Sequence, residues 1–180
     1  WKDKQFVQVD ETRRKGSATP PAVASPPSRG QSISPPPPRA PSAGEMLDRV
    51  YALYRKDRGV RPQAPRFDLV TDVIEDQQNE RVLIHDRDLL VFGKGFKKGL
   101  SYTYLTIGVK DAKDILSVAT RDLVGDGKAE ILVHAVLRAQ ASKQLGGDVV
   151  ERQALFVYKV IGETLTRIFA AETGRSLKGR

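Results

Sequence analysis

The sequence predicts a mainly β protein: an antiparallel meander of repeated units, preceded by one amphipathic helix and a disordered proline-rich linker. Three observations carry this expectation. From Phe67 onward, short segments rich in Val, Ile, Leu, Tyr and Phe alternate with clusters of Gly, Asp, Asn and Lys. The acidic positions of one such cluster recur 50 residues earlier. Apolar residues fall convincingly at helical spacing in one stretch only, Met46, Leu47, Val50, Leu53 and Tyr54.

With 180 residues and an apolar fraction of 39%, the chain has material for one ordinary domain with appendages. A net charge of +8 suits nucleic acid, anionic lipid or acidic glycans without choosing among them. The basic residues are scattered, and no run exceeds Arg13, Arg14 and Lys15, so a generally basic surface is expected rather than a nucleic-acid face. The absence of cysteine excludes disulfides, thiolate metal sites and cysteine nucleophiles. No apolar run approaches the roughly 18 residues needed to span a bilayer. Because the sequence begins at Trp1, it is expected to be a piece of a longer chain.

Residues 1–10 alternate well enough around Phe6, Val7 and Val9 to end a preceding β unit. Residues 11–44 are dominated by Pro, Ser, Ala, Thr and Arg, including the run Pro35 to Pro38. Such a composition buries too little apolar surface to offset the entropy of ordering, and it favours an extended, disordered tether. Residues 45–59 follow as the helix. Ser42 and Glu45 have the spacing of a capping box, and Gly59 is a natural stop. Its apolar stripe is expected to pack on the β domain, residues 66–175. Strands are expected at Phe67 to Ile74, Arg81 to His85, Asp88 to Phe92, Ser101 to Ile107, Ile115 to Thr120, Ile131 to Leu137, Ala154 to Val160 and Thr164 to Ala170. The polar segment from Arg138 to Arg152 reads as an inserted loop, Gly162 and Glu163 as a tight hairpin, and residues 176–180 as a disordered tail.

A shift of 50 residues aligns Asp72, Asp76 and Glu80 with Asp122, Asp126 and Glu130. Leu89 to Phe92 and Leu155 to Tyr158 follow the two copies as similar apolar strands. About four strands per 50-residue unit is the periodicity of propeller blades, and such a unit needs neighbours to bury both faces.

In the second copy, Asp122, Asp126 and Glu130 stand at positions 1, 5 and 9, with Gly125 and Gly127 allowing a tight curl. These carboxylates, with a backbone carbonyl from Lys128, form a candidate site for a hard cation. The stretch resembles the FG-GAP or VCBS-type propeller repeat, and calcium is the cofactor that the resemblance implies. Val124 stands where the family pattern has Asn or Asp, which removes one ligand, and Glu130 replaces the usual Asp. The resemblance further implies a non-enzymatic interaction or assembly module of an exported bacterial protein. Periplasmic, outer-membrane-associated or extracellular placement is implied with it, as is a partner protein or further blades. The upstream copy, with Glu75, Gln77 and Gln78 in place of the glycines, reads as a metal-free turn.

Two other readings stay open: a propeller-type hydrolase or lyase fragment, and a binder of anionic polymers through a basic hairpin tip. The tip is Gly93 to Gly99, where Lys94, Lys97 and Lys98 with Tyr102 and Tyr104 are candidate contacts for an anion or ligand. No GxSxG, HExxH or SxxK pattern occurs, and His85 and His134 have no third ligand at metal spacing.

Overall fold

The computed structural model describes residues 42–142 and 149–178. The strand end expected in residues 1–10, the linker up to residue 41, the centre of the expected insertion and residues 179–180 lie outside the described residues. The fold is mainly β, with two four-stranded antiparallel sheets and one helix.

Helix α1 (Ala43–Arg58) begins at a capping box: the Ser42 hydroxyl accepts from the Glu45 amide, and the Glu45 carboxylate accepts from the Ser42 amide. Gly59, in the left-handed conformation at φ 62°, ends it. The first sheet is the meander β1 (Phe67–Thr71), β2 (Glu80–His85), β3 (Asp88–Gly93) and β4 (Thr103–Thr106). The second is the meander β5 (Ile115–Arg121), β6 (Glu130–Gln140), β7 (Val149–Ile161) and β8 (Thr164–Lys178).

The repeat is a repeat of register. Thr71 pairs with Glu80 as Arg121 pairs with Glu130, and Phe67 pairs with Ile84 as Ser117 pairs with His134. Across the next ladder Val82 faces Val91 as Leu132 faces Val157. The segments Leu89 to Phe92 and Leu155 to Tyr158 therefore occupy matching places, as their sequences suggested.

Matching residues do not share a partner. Val82, Ile84, Leu89 and Val91 join the main core with Ile131, Val133, Ala135, Ala154, Phe156 and Tyr158. Because strand side chains alternate between faces, the first sheet meets the second through the face that carries Val82, and the second replies with the opposite type of face. The sheets are thus stacked head to tail. The remaining face of the first sheet, with Leu83, Leu90 and Phe92, is covered by Val50 and Tyr54 of α1. Burial of an apolar side chain such as Val50 contributes about 2 kcal/mol, and polar contacts orient the helix. The Tyr54 hydroxyl donates to Asp88 Oδ2 at 3.0 Å, Arg58 Nε donates to the same oxygen at 3.1 Å, and Thr106 donates to Asp88 Oδ1 at 2.6 Å.

Two expectations are corrected. At both ends of the insertion expected from Arg138 to Arg152 the described residues are ladder, because β6 and β7 pair from Arg138 opposite Glu151 to Gln140 opposite Val149. The tail expected at residues 176–180 is strand through Lys178: Ser176 pairs with Glu151 and Lys178 with Val149. Ion pairs from Arg138 and Lys178 to Glu151 tie these polar ends together.

Candidate functional site

The two acidic turns share two internal hydrogen bonds. In the second, Glu130 Oε2 accepts from the Leu123 amide at 2.7 Å, and Asp126 Oδ1 accepts from the Lys128 amide at 3.0 Å. In the first, Glu80 Oε2 accepts from the Val73 amide at 3.1 Å, and Asp76 Oδ1 accepts from the Gln78 amide at 3.0 Å. Gln77 adopts φ 58° where Gly127 adopts φ 81°. Gln77 thus keeps one of the two left-handed positions without a glycine, whereas Glu75, in the place of Gly125, does not take a positive φ. Glu80 and Glu130 are both fully buried.

The turns differ in what meets the remaining oxygens. In the second, the Lys159 ammonium lies 2.6 Å from Asp126 Oδ2 and 2.8 Å from Glu130 Oε1. Asp122 accepts from the Gly125 and Gly127 amides at 2.7 and 2.9 Å. Hydrogen bonds and charge from Lys159 hold the Asp126 carboxyl below its ordinary range, and the same contacts raise Lys159. The three carboxylates singled out in the sequence therefore already have donors. Lys128 turns its ammonium away from them, onto Asp72 at 3.0 Å, while the Ala129 amide donates to the Asp72 carbonyl. The second turn is seated on the first.

In the first turn, Asp72, Asp76 and Glu80 bring ligand oxygens within 4.8 Å of one another. Asp76 Oδ2 and Glu80 Oε1 are buried and without a hydrogen-bond partner. Burial pushes the Glu80 carboxyl up to about 7; the Val73 amide opposes the shift, and the charges of Asp76 and Asp72 add to it. No family pattern pointed here, because the residues between the carboxylates lack glycine. The legible signal was the repeat of the three acidic positions.

The basic segment after β3 is anchored at Phe96, and its three lysines are exposed. Phe96 is buried in the main core, Lys97 pairs with Glu163 at 3.1 Å, and Lys97 and Lys98 both take positive φ. Tyr102 donates to Asp57 at 2.9 Å, and Tyr104 lies under the Arg58 guanidinium, so both tyrosines serve the helix–sheet contact. His85 is hydrogen-bonded to the Tyr51 hydroxyl at 2.6 Å, and His134 to Thr173 at 3.3 Å.

A second feature is a surface. The face of the second sheet opposite the main core carries Leu132, Val136, Leu155, Val157 and Phe169, none of which belongs to either core cluster. Its exposure is uneven: Phe169 is exposed and Leu132 and Leu155 are half-buried, whereas Val136 and Val157 are buried. No described helix is long and apolar enough to cross a membrane. No protein-family model, curated protein or solved structure matches the chain.

Proposed function

We propose that this chain is a non-enzymatic assembly module, a helix-capped pair of stacked β units that takes one further four-stranded sheet on the open face of the second. The observation that carries this reading is the head-to-tail use of matching faces. Leu132, His134, Leu155 and Val157 hold the register places of Val82, Ile84, Leu89 and Val91, and in the first sheet those places are packed under a neighbouring sheet. Stacked repeats bury a continuous core in this way and need a cap where the stack ends. Helix α1 fills that role on one side.

The occupant is a sheet presenting a face of the type formed by Ile131, Val133, Phe156 and Tyr158. It can belong to a partner protein or to further blades of the same assembly. The resemblance of the second turn to FG-GAP or VCBS repeats supports the same reading, since such units assemble side by side. Calcium stabilisation and export remain parts of the proposal that rest on that resemblance alone.

The test uses the full chain with a second copy of residues 115–178 appended after residue 180 through a flexible connection. The appended sheet offers the required face, so the unfolding midpoint of the original two-sheet unit rises, and Phe169→Asp in the original copy removes the gain. An unchanged midpoint would count against the reading.

A further inference from the structure

The two turns present a comparison within one molecule. In the second, one ammonium satisfies Asp126 Oδ2 and Glu130 Oε1. Their counterparts in the first turn, Asp76 Oδ2 and Glu80 Oε1, are among the described residues the two carboxylate oxygens that are buried and unpartnered. The cause lies in the ladder. Gly93 stands opposite Glu80, whereas Lys159, next after the Tyr158 that faces Ile131, holds the equivalent place beside Glu130. The strand position that supplies a tethered cation to one turn supplies a bare backbone to the other.

The two oxygens lie against glycine backbone. A Cβ on Gly93 would lie 2.9 Å from Glu80 Oε1, and a Cβ on Gly95 would overlap Asp76 Oδ2. Both glycines thus abut the two unpartnered oxygens. Asp72 completes the group, sharing its carboxylate with Lys128. Three carboxylates share a single ammonium, that of Lys128, which contacts Asp72 alone. A mutual oxygen spacing of up to 4.8 Å fits oxygens around one cation, which calcium holds at about 2.4 Å. A buried, unpaired carboxylate oxygen is costly, and a bound cation removes the cost.

We propose that Asp72, Asp76 and Glu80 bind one hard divalent cation, calcium or magnesium, with Asp76 Oδ2 and Glu80 Oε1 as direct ligands. The cation does for the first turn what Lys159 does for the second. The site requires no docked sheet and stands whether or not the assembly reading holds.

The full chain is stripped of metal with a chelator, dialysed, and titrated with calcium chloride and separately with magnesium chloride at pH 8. Thermal unfolding and calorimetric binding are followed. The unfolding midpoint rises with cation concentration, as ligand linkage requires, with one site per chain. Glu80→Gln and Asp76→Asn each abolish the rise, while Asp126→Asn, in the other turn, retains it. Glu80→Gln keeps an oxygen for the Val73 amide, and circular dichroism checks that it folds; Asp76→Asn gives the same reading at a second position. A response to either cation supports the site and tells which is preferred. No response to both, a response that survives both first-turn substitutions, or one lost only in Asp126→Asn overturns it.

Discussion

Phe169 lies directly opposite Val157 in the ladder between β7 and β8, on the face of the second sheet turned away from the main core; Phe169 is 53% exposed and Val157 only 4%. An exposed aromatic beside a screened aliphatic on a sheet face that also carries Leu132 and Leu155 is what a docking surface presents before it is filled. Phe169→Asp is therefore expected to leave the isolated chain's stability within about 0.5 kcal/mol, as for exposed positions generally. Urea unfolding checks this, and a loss of several kcal/mol would show that Phe169 already belongs to a packed core.

The helix cap depends on Asp88. Tyr54→Phe keeps the ring but takes one donor from a buried carboxylate oxygen, leaving Arg58 alone on Asp88 Oδ2. The expected cost is about 1–3 kcal/mol, read as a lower urea midpoint with an unchanged denaturant slope. A neutral outcome would mean that solvent replaces the hydroxyl and that the contact is not sealed.

Lys159→Met leaves the buried Glu130 with the Leu123 amide as its sole donor and deprives Asp126 of its ion pair. The unfolding midpoint is expected to fall further than in Lys128→Met, whose partner Asp72 is partly exposed. Adding Glu130→Gln to Lys159→Met recovers part of the loss. Equal effects of the two lysines would remove the case that Lys159 acts as the turn's built-in cation.

Glu80 gives stability a pH dependence of definite sign. Its carboxyl is raised to about 7 from an ordinary value of 4.5, so between those values the folded protein holds a proton that the unfolded chain has released. The stabilisation is full below about 4.5 and is lost as pH rises through about 7. Asp72 and Asp76 raise Glu80 further by their charge, while Lys128 faces the group through Asp72. In metal-free buffer the urea midpoint is expected to decline between about pH 5 and 8, and Glu80→Gln to flatten that decline. A midpoint rising over the same range would reverse the assignment.

Much of this architecture was legible in the residues. Ser42, Glu45 and Gly59 marked the helix because capping chemistry is local. Alternation located all eight strands wherever one face is buried. It failed from Arg138 to Gln140, from Val149 to Arg152 and from Ser176 to Lys178, where the ladder is exposed or half-buried and polar side chains pair across strands. The second acidic turn was readable from its glycines. Its counter-ion was not, because Lys159 lies on a strand far outside the motif. The convergence of Asp72, Asp76 and Glu80 was hidden because Gln77 takes the backbone conformation that glycine would have announced. That matching faces are used head to tail could not be read from apolar residues alone, since both faces of each sheet carry them.

The central claim, that the open face accepts another sheet as the first sheet does, is tested most directly by methyl nuclear Overhauser effects in the chain carrying an appended copy of residues 115–178. Contacts are predicted between Val157 or Leu132 of the original copy and the appended counterparts of Ile131, Val133 and Phe156, matching those that Val91 and Val82 make within the main core. An appended sheet that tumbles independently, with no such contacts and with Phe169 still open to solvent, would contradict the account.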